Sequence, residues 1–474
     1  MAQTIGSGVE KIKNKADILS HGVVESRRLV LSVTEDVLAQ LDSYRRIKGI
    51  MRLEGNILHV GSKNWDLSRK RHIYLLGAGK ACNHMAMAVD EILGSRLTRG
   101  IAIVKISEPT DVFRKTEVFV GGHPLPNAEG YRACQEILKV VDASGPDDLF
   151  IVLISGGSSA LMSCPIEGVS LDDEIAVTDV MLKSGADIFE INAIRRHISQ
   201  FNGGMLAKRI AARGAELIGL GISDGIGSPA TDDIGIPYAK YRGTPMGPDQ
   251  TTLEDARRVI KDYGVTDRLP QNVVDYLARV GPEGETPKAF PNNTYYLVNT
   301  LPDSCVYARE AAKKIGLPTL ILSSFLEGES RDVGKVFASI AREIQAYGNP
   351  IAPPCMLVAS GEATVTISDN TQITGHGGPS QEETLAFAIA AEKTRGACLL
   401  SMDSEGTDGT TPVAGGITDS QSYSLARKKG IDVYKALRGH ASYEALEQMG
   451  DVVLTGNTGT NLCDFNLMYV PKLD

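Results

Sequence analysis

The chain has 474 residues, a formal net charge of −9, 5% aromatic residues and a single tryptophan. This length is too great for one hydrophobic core, so two domains are expected. The acidic balance and the scarcity of aromatic rings argue against a nucleic-acid-binding protein, because such proteins carry basic faces and stacking platforms. We therefore expect small molecules, and no nucleic acid, as ligands.

The seven cysteines form no CxxC pair and no Cys–His cluster with zinc spacing. We interpret them as reduced, mostly buried thiols of a cytoplasmic protein, since disulfides are rare in that compartment. The N-terminal segment lacks the apolar core of a signal peptide, and no stretch reaches the roughly 18 apolar residues of a membrane helix. The sequence therefore predicts a soluble, cytoplasmic protein without membrane contacts.

Apolar periodicity outlines the N-terminal part of the chain. Residues 22–47 carry apolar side chains at helical spacing and are predicted to form a helix. Apolar runs that end in Gly-rich turns follow at 72–81, 149–161 and 216–225. Runs without alternation are typical of strands buried on both faces of a parallel sheet. Crossover helices are predicted at 129–142, 172–184 and 203–213.

A stretch rich in Gly, Pro and Glu within 264–292 marks a predicted domain boundary. We place it so that residues 1–287 form the first α/β domain and residues 288–474 a second, smaller one. A further β–α–β unit is predicted at 294–300, 304–315 and 318–324. The run 356–367 alternates more in polarity, which favours a mixed second sheet.

The Gly-rich turns are the candidate ligand-binding segments, because ligands of doubly wound sheets bind beyond the carboxyl ends of the strands. The turn Gly77-Ala78-Gly79-Lys80 opens a helix whose free N–H groups, together with the Lys80 charge, suit an anion. Its spacing matches neither a Walker A loop nor the dinucleotide fingerprint. A tight turn with a solvated lysine is the alternative interpretation.

Two further turns follow the next predicted strands. The turn 155–159, with Gly156, Gly157 and Ser158, offers backbone donors and hydroxyls to a ligand, although a plain turn also explains it. Asp224 follows the strand 216–222. A carboxylate there can bind Mg²⁺ or take a hydroxyl proton during phosphoryl transfer, whereas a simple turn residue is the alternative.

The C-terminal third contains further polar segments that could hold a ligand. They are Glu362, the run 375–378, the run 406–409 with Asp408, and the run 455–461 with Thr458, Gly459, Thr460 and Asn461. The last run has few apolar residues to bury, so we expect it to contact a polar ligand, with a loop or hairpin as the alternative. His123, before a Pro-rich turn, is either a ligand contact or a structural histidine.

Nine segments of the chain, taken in order, resemble segments of the glycerate kinase family that carries a MOFRL domain at its C-terminus. They are GAGKA (77–81), GGHPLPNAEG (121–130), ISGGSSAL (154–161), INAIRRHISQFNGGMLA (191–207), ISDGIG (222–227), SGEATVTI (360–367), GHGGPSQE (375–382), GTDG (406–409) and LTGNTGTN (454–461). Each motif alone is nonspecific. Because all occur in the same order over roughly residues 25–470, the chain is identified as a member of that family.

The resemblance implies a Rossmann-like N-terminal domain, a smaller α/β C-terminal domain, and ATP- and Mg²⁺-dependent phosphorylation of D-glycerate to 2-phosphoglycerate. Carried over by position, it makes Lys80 the phosphate contact, Asp224 the acidic catalytic residue and metal ligand, and Arg195 an anion partner. The residues expected to contact ATP are Gly77, Gly79, Gly156, Gly157, Ser158, Glu362, Asp408, Thr458, Gly459, Thr460 and Asn461. The expected partners are a small hydroxy acid and a nucleotide, and a homodimer is left open.

The sequence also departs from the family pattern. His376 and Pro379 replace the two arginines of the family's GRGGRNQE segment. Ser228 stands where the SDxxGD segment has its second aspartate, and the segment 410–416 lacks further family aspartates. Neither His nor Pro reproduces the bidentate pairing of arginine with a carboxylate or phosphate. The identity of the acceptor, and turnover itself, are therefore open.

Three functional hypotheses follow from these observations. The first is a kinase of a small hydroxy acid. The second is an NAD(P)H-dependent oxidoreductase of the hydroxypyruvate reductase type. The mismatch between the turn 77–80 and the dinucleotide-binding fingerprint argues against it. The third is a ligand-binding paralogue without turnover. ADP release separates the first from the third, and NAD(P)H absorbance tests the second.

Overall fold

The chain forms two compact units. The structure, a computed structural model, describes residues 11–229, 231, 235–238, 245–368 and 371–473. The parallel-sheet unit contains Ser43–Ser223 and the later segment that ends at Val298. The mixed-sheet unit contains the chain up to Asp42, a short segment that begins at Asp224, and the chain from Asn299 onwards.

Strands and helices alternate through much of the described chain. The strands are β1 Met51–Glu54, β2 Ile57–Val60, β3 Lys63–Asp66, β4 His72–Ala78, β5 Arg99–Val104, β6 Thr116–Val120, β7 Asp148–Ile154, β8 Glu216–Ser223, β9 Thr294–Thr300, β10 Thr319–Glu329, β11 Cys355–Thr364, β12 Cys398–Asp403, β13 Gly415–Asp419, β14 Val452–Val453 and β15 Asp464–Val470. The α-helices are α1 Lys15–Ile18, α2 Val24–Leu41, α3 Ser43–Ile50, α4 Cys82–Leu93, α5 Ala128–Asp142, α6 Ser158–Leu161, α7 Leu171–Lys183, α8 Ile188–His197, α9 Met205–Ala212, α10 Leu253–Asp262, α11 Gln271–Arg279, α12 Leu301–Lys314, α13 Ser330–Tyr347, α14 Pro379–Ala390, α15 Ser422–Lys428, α16 Val433–Arg438 and α17 Ser442–Met449. Within the part of the chain that the structure describes, no helix combines the length and the apolar character that crossing a membrane requires.

The parallel-sheet unit is built on a six-stranded sheet with the order β6-β5-β4-β7-β8-β9. β4 pairs in parallel with β5 and β7, and the pairs β5–β6 and β7–β8 are also parallel. β7 is buried along its whole length, as a strand covered on both faces must be. Residues of α5 and α9 pack into the same hydrophobic core. The predicted Rossmann-like, doubly wound α/β architecture is confirmed.

The mixed-sheet unit holds a six-stranded sheet with the order β10-β11-β15-β12-β13-β14. β10 runs parallel to β11, whereas the other neighbours are antiparallel. Phe337 of α13 and Phe387 of α14 lie in the core against β11 and β12. The mixed second sheet expected from the alternating run 356–367 is therefore confirmed.

The crossover helices predicted at 129–142, 172–184 and 203–213 correspond to α5, α7 and α9. The small antiparallel sheet β1-β2-β3 was not predicted. Its strands are four residues long and mix apolar with polar or charged side chains. Such short segments leave no periodicity that distinguishes a strand from a loop.

The predicted helix 22–47 is two helices. α2 ends at Leu41, Asp42 has a non-helical conformation (φ −56°, ψ 112°), and α3 begins at Ser43. The break coincides with the passage from the mixed-sheet unit to the parallel-sheet unit. The observed units are therefore not contiguous in sequence, which differs from the predicted domains 1–287 and 288–474.

A buried ion-pair network holds α2 in the mixed-sheet unit. The Arg27 guanidinium is fully buried and donates to Asp419 Oδ2 at 2.5 Å and to Asp451 Oδ1 at 2.7 Å. It also donates to Ser422 Oγ and to the Ile18 carbonyl. Burial alone would raise the pKa of Asp451, but the Arg27 charge and its hydrogen bond bring that pKa below its ordinary value. The pairing thus compensates for the removal of these charges from water.

We expect Arg27→Ala to lower the free energy of unfolding by about 3–5 kcal/mol, because Asp419 and Asp451 would be left as buried, uncompensated charges. Urea unfolding at neutral pH measures the change. Arg28→Ala is the matched control, since the Arg28 side chain is 55% exposed and pairs with Glu25 at the surface. Equal losses in the two variants would contradict the anchoring role of Arg27.

Candidate active site

The turn after β4 interlocks with the turn after β7. The Lys80 N–H donates to the Gly156 carbonyl at 2.9 Å, and the Ala81 N–H donates to Ser155 Oγ at 3.0 Å. Gly79 has a φ of +139°, and a Cβ at this position would collide with the Ser155 hydroxyl and backbone. Only glycine fits this approach without strain. The two Gly-rich segments that the sequence singled out are therefore neighbours.

The second turn brings Lys80 and His123 together. Gly157 has a φ of +82°, and a Cβ there would lie 2.9 Å from His123 Cδ2 and 3.3 Å from Lys80 Cγ. These side chains therefore lie over the Gly157 backbone. Gly77 differs, because it is a buried residue of β4 whose Cβ position is occupied by Cys82 Sγ. Its backbone serves packing in this structure, and its contact with a nucleotide stays a prediction.

Arg195 of α8 lies against the same turn. Its Nη2 donates to the Ser159 carbonyl at 3.3 Å, which also accepts from Asn202 Nδ2. Arg195 Nη2 lies 3.8 Å from Glu174 Oε1, and Arg195 Nε is buried without a hydrogen-bond partner among the described residues. Ser158, the first residue of α6, is buried beside them. Lys80 and Arg195 thus give this turn two cationic side chains.

Carboxylates converge around Cys463 in the mixed-sheet unit. The Cys463 thiol contacts the Asp224 carbonyl at 3.5 Å and Glu362 Oε2 at 3.9 Å. Burial raises the pKa of this thiol, and the charges of Asp224, Glu362, Asp403 and Asp464 raise it further. The thiol therefore stays protonated, and the four acids share one neighbourhood.

Sequence reasoning found Asp224 and Glu362 but missed Asp403 and Asp464. Asp403 is the last residue of β12, Asp464 is the first residue of β15, and the two are paired across the sheet. An acid at a strand end was the signal used for Asp224. Neither β12 nor β15 was among the predicted strands, and Asp464 begins its strand, so this signal did not reach the pair.

The buried acids in this region hold protons more tightly than free carboxyl groups do. Burial, with the nearby Asp408 charge, raises the pKa of Asp464 to about 8, although Asp464 accepts hydrogen bonds from the Ala363 N–H and from Ser380 Oγ. Burial likewise raises the pKa of Glu383 of α14 well above its ordinary value, with Asp464 and Asp408 adding to the shift. Asp464 is therefore largely protonated at physiological pH.

Asp408, expected to contact the nucleotide, is 1% exposed and is bonded to the first turn of α14. It accepts hydrogen bonds from the Ser380 and Gln381 N–H groups at 3.3 and 2.9 Å and from Gln381 Nε2 at 2.8 Å. Burial raises its pKa to about 6 despite these donors. The carboxylate thus satisfies the free N–H groups that begin a helix. Its contact with a nucleotide stays a prediction.

The polar run near the C-terminus bonds to the protein itself. The four residues predicted to contact ATP in this run are all buried: Thr458, Gly459, Thr460 and Asn461. The Thr458 hydroxyl donates to the Ser404 carbonyl, and Asn461 Nδ2 donates to Glu405 Oε2 at 3.1 Å. The run therefore holds the loop after β12. These hydrogen bonds do not test whether the run contacts a ligand, so that contact stays a prediction.

The segment 375–382 carries the residues that replace the family arginines. His376 is largely exposed and pairs with Glu444 at 2.9 Å. Pro379 is the first residue of α14, where a missing N–H costs no helical hydrogen bond. Glu382 is buried and pairs with Arg331 at 3.0 Å. His376 thus has an ion-pair partner within the protein, and Pro379 stands at a helix position that tolerates proline.

Comparisons with known proteins cover most of the chain. A family model described as a domain of unknown function, DUF4147, matches residues 29–278, and one described as the MOFRL family matches residues 355–464. A protein named glycerate 2-kinase from Pyrococcus horikoshii is 36% identical over 443 residues, with 93% of this chain and 96% of that protein covered. A protein provisionally named hydroxypyruvate reductase from Agrobacterium vitis is 35% identical, with 84% of this chain and 86% of that protein covered. The crystal structure of glycerate kinase from Thermotoga maritima has a TM-score of 0.76 and 31% identity, over 94% of this chain and 99% of that chain.

We expect Asp464→Asn to flatten the pH dependence of stability. The unfolded carboxyl ionises above about pH 4, whereas the folded one keeps its proton up to about 8. The stabilising contribution of this group is therefore complete below the unfolded pKa and is lost as the pH rises through the folded pKa, by at most about 1.4 kcal/mol per pH unit. Asparagine is neutral at every pH, so the variant does not lose this stability as the pH rises.

Urea unfolding of the wild type and Asp464→Asn between about pH 5 and 8 measures the two slopes. Asp267→Asn serves as the control, because Asp267 is exposed and its replacement should keep the wild-type slope. Parallel stability curves for wild type and Asp464→Asn would show that Asp464 is ionised in the folded protein.

Proposed function

The chain belongs to the glycerate 2-kinase family, and from this membership we propose that it phosphorylates a small hydroxy acid with ATP. The acceptor is D-glycerate, with 2-phosphoglycerate as the product, or a close relative of D-glycerate. The observation that carries the proposal is the pair of cations, Lys80 and Arg195, at the turn 155–159. Positive charge beside backbone donors is what the phosphates of ATP and an acid substrate require.

In the proposed reaction the acceptor hydroxyl oxygen bonds to the γ-phosphorus while the bond from that phosphorus to the bridging oxygen breaks. ADP leaves, and Asp224 takes the hydroxyl proton and passes it to solvent. Lys80 neutralises the charge that develops on the phosphoryl oxygens, and Arg195 binds an anionic group of the substrates. Catalysis of this kind depends mainly on positioning and charge stabilisation.

Mg²⁺, which the family implies, fits the donors that the chain offers. Carboxylate oxygens are the preferred protein ligands of Mg²⁺, and Asp224, Glu362, Asp403 and Asp464 share one neighbourhood around Cys463. Mg²⁺ is commonly held by one or two carboxylates together with substrate phosphates, so no closed protein cage is needed. When bound, the ion would offset the negative charge of the phosphate groups. Asp224 and Glu362 are the residues that we propose hold it.

An ADP-release screen of purified full-length protein against C3 to C6 hydroxy acids tests the proposal. ADP production that depends on one acid and on Mg²⁺ supports it. Oxidation of NADPH with hydroxypyruvate, and no acid-dependent ADP, would support the reductase activity named for one relative instead. Binding of ATP without either reaction would assign the chain to a ligand-binding role.

We expect Lys80→Ala to reduce kcat/KM for the best acid by about 2.7–4 kcal/mol of transition-state stabilisation, the scale of one lost preorganised donor. Steady-state kinetics on folded protein measure the effect. Lys183→Ala is the matched control, since its side chain is 68% exposed and pairs with Asp179 on α7. Near-normal turnover in Lys80→Ala would remove Lys80 from the proposed mechanism.

We also expect an acid other than D-glycerate to have the highest kcat/KM. Pro379 can offer neither a backbone N–H nor the charged fork of the arginine that the family has at this position, and His376 already pairs with Glu444. A charge-assisted hydrogen bond contributes about 1.5–3 kcal/mol. Its absence therefore corresponds to roughly a 10- to 150-fold loss of affinity for the substrate carboxylate.

Pro379→Arg should therefore raise kcat/KM for D-glycerate relative to the best acid of the screen. Pro379→Gln removes the ring without adding charge and is the matched control. Preference of the wild type for D-glycerate would show that the replaced arginine does not set specificity here, with a basic residue such as Arg195, Arg196 or Lys393 filling its place.

A further inference from the structure

Three side chains with metal-ligating atoms meet near the carboxyl ends of β4 and β5. His84 lies in the first turn of α4, and Glu108 and Asp111 lie on the segment between β5 and β6. One ligand atom from each residue lies within 4.8 Å of the others. All three residues are partly exposed, so a cation could reach them from solvent.

The acidic pair is held in place by its own backbone. The Glu108 N–H donates to Asp111 Oδ2 at 2.9 Å, and the Asp111 N–H donates to the Glu108 carbonyl at 3.1 Å. These bonds fix the Asp111 carboxylate relative to the Glu108 backbone. The backbone that carries the two acids is thus ordered without a cation.

A buried amide beside the cluster is incompletely satisfied. Asn83 is fully buried, and its Oδ1 has no hydrogen-bond partner in the described part of the chain. Its Nδ2 lies 3.2 and 3.4 Å from the two Asp111 carboxylate oxygens. A buried amide oxygen without a partner is costly. Rotation of the amide by 180° would place Oδ1 beside the Asp111 carboxylate in place of the Nδ2 hydrogen bonds. A cation bound between the two oxygens would compensate for the loss of those bonds.

We propose that His84, Glu108 and Asp111, with the Asn83 amide oxygen, bind a divalent transition-metal cation such as Zn²⁺ or Mn²⁺. Imidazole favours this class over Mg²⁺ and Ca²⁺, which prefer oxygen ligands throughout. The site is independent of the proposed phosphoryl transfer and of its Mg²⁺. Bound metal would join the segment between β5 and β6 to the first turn of α4, the helix that follows the Gly77–Lys80 turn.

Zn²⁺ titration of metal-free full-length protein, by competition with a chromophoric chelator, tests the site. We expect one equivalent to bind, and His84→Gln and Asp111→Asn each to weaken binding at least tenfold. Zn²⁺ should also raise the thermal unfolding temperature of the wild type more than that of either variant. His59→Gln is the matched control, because His59 faces one carboxylate, that of Glu54, and not two. The His59→Gln variant should therefore bind Zn²⁺ with the affinity of the wild type.

Co²⁺ distinguishes this site from the cysteines. Ligation by nitrogen and oxygen alone gives weak d–d absorption, whereas ligation by Cys463 would add a strong thiolate-to-cobalt charge-transfer band. That band, equal affinity in wild type and both variants, or no binding of Zn²⁺ or Mn²⁺ at millimolar concentration would each overturn the proposal. If His84→Gln does not fold, Glu108→Gln on the surface segment takes its place.

Discussion

The parallel pairing of β4 with β7 is the constraint on which the candidate active site depends. Ala78 is paired with Ile154, so the two strands leave the sheet at the same level and their turns meet. The hydrogen bond from the Lys80 N–H to the Gly156 carbonyl then joins the turns. Arg195 is placed by its own bond to the second turn. A shift in register between these strands would separate the cations from the backbone donors.

The mixed-sheet unit shows two ways of accommodating buried charge. Arg27 donates to the buried carboxylates of Asp419 and Asp451, and its charge brings the pKa of Asp451 below its ordinary value. Asp464 and Glu383 are buried beside other acids and have no ion pair with a cation among the described residues, so their pKa values rise. Carboxyl groups with raised pKa values concentrate at functional sites. Their position beside the acids around Cys463 accords with a role for this region in binding a cation or moving a proton.

The polar, glycine-rich runs do not all play the same part. Those after β4 and β7 bring charged side chains to the carboxyl edge of the parallel sheet. The run 458–461 is buried and donates its hydrogen bonds to the loop after β12. Asp408 likewise serves the beginning of α14. Glycine and hydroxyl groups suit a ligand and an internal turn equally well, which is why composition alone could not separate these roles.

The sequence by itself determined the fold class and the family. A strand covered on both faces must be apolar throughout, so the runs of β4, β7 and β8 identified a parallel sheet, and the ordered motifs identified the glycerate 2-kinases. The tertiary structure alone decided the partners of the polar residues. Arg27 meets Asp419 and Asp451, and α2 joins the mixed-sheet unit, through contacts between residues far apart in the chain. Local periodicity records which face of an element is buried, but it carries no information about which distant residue covers that face.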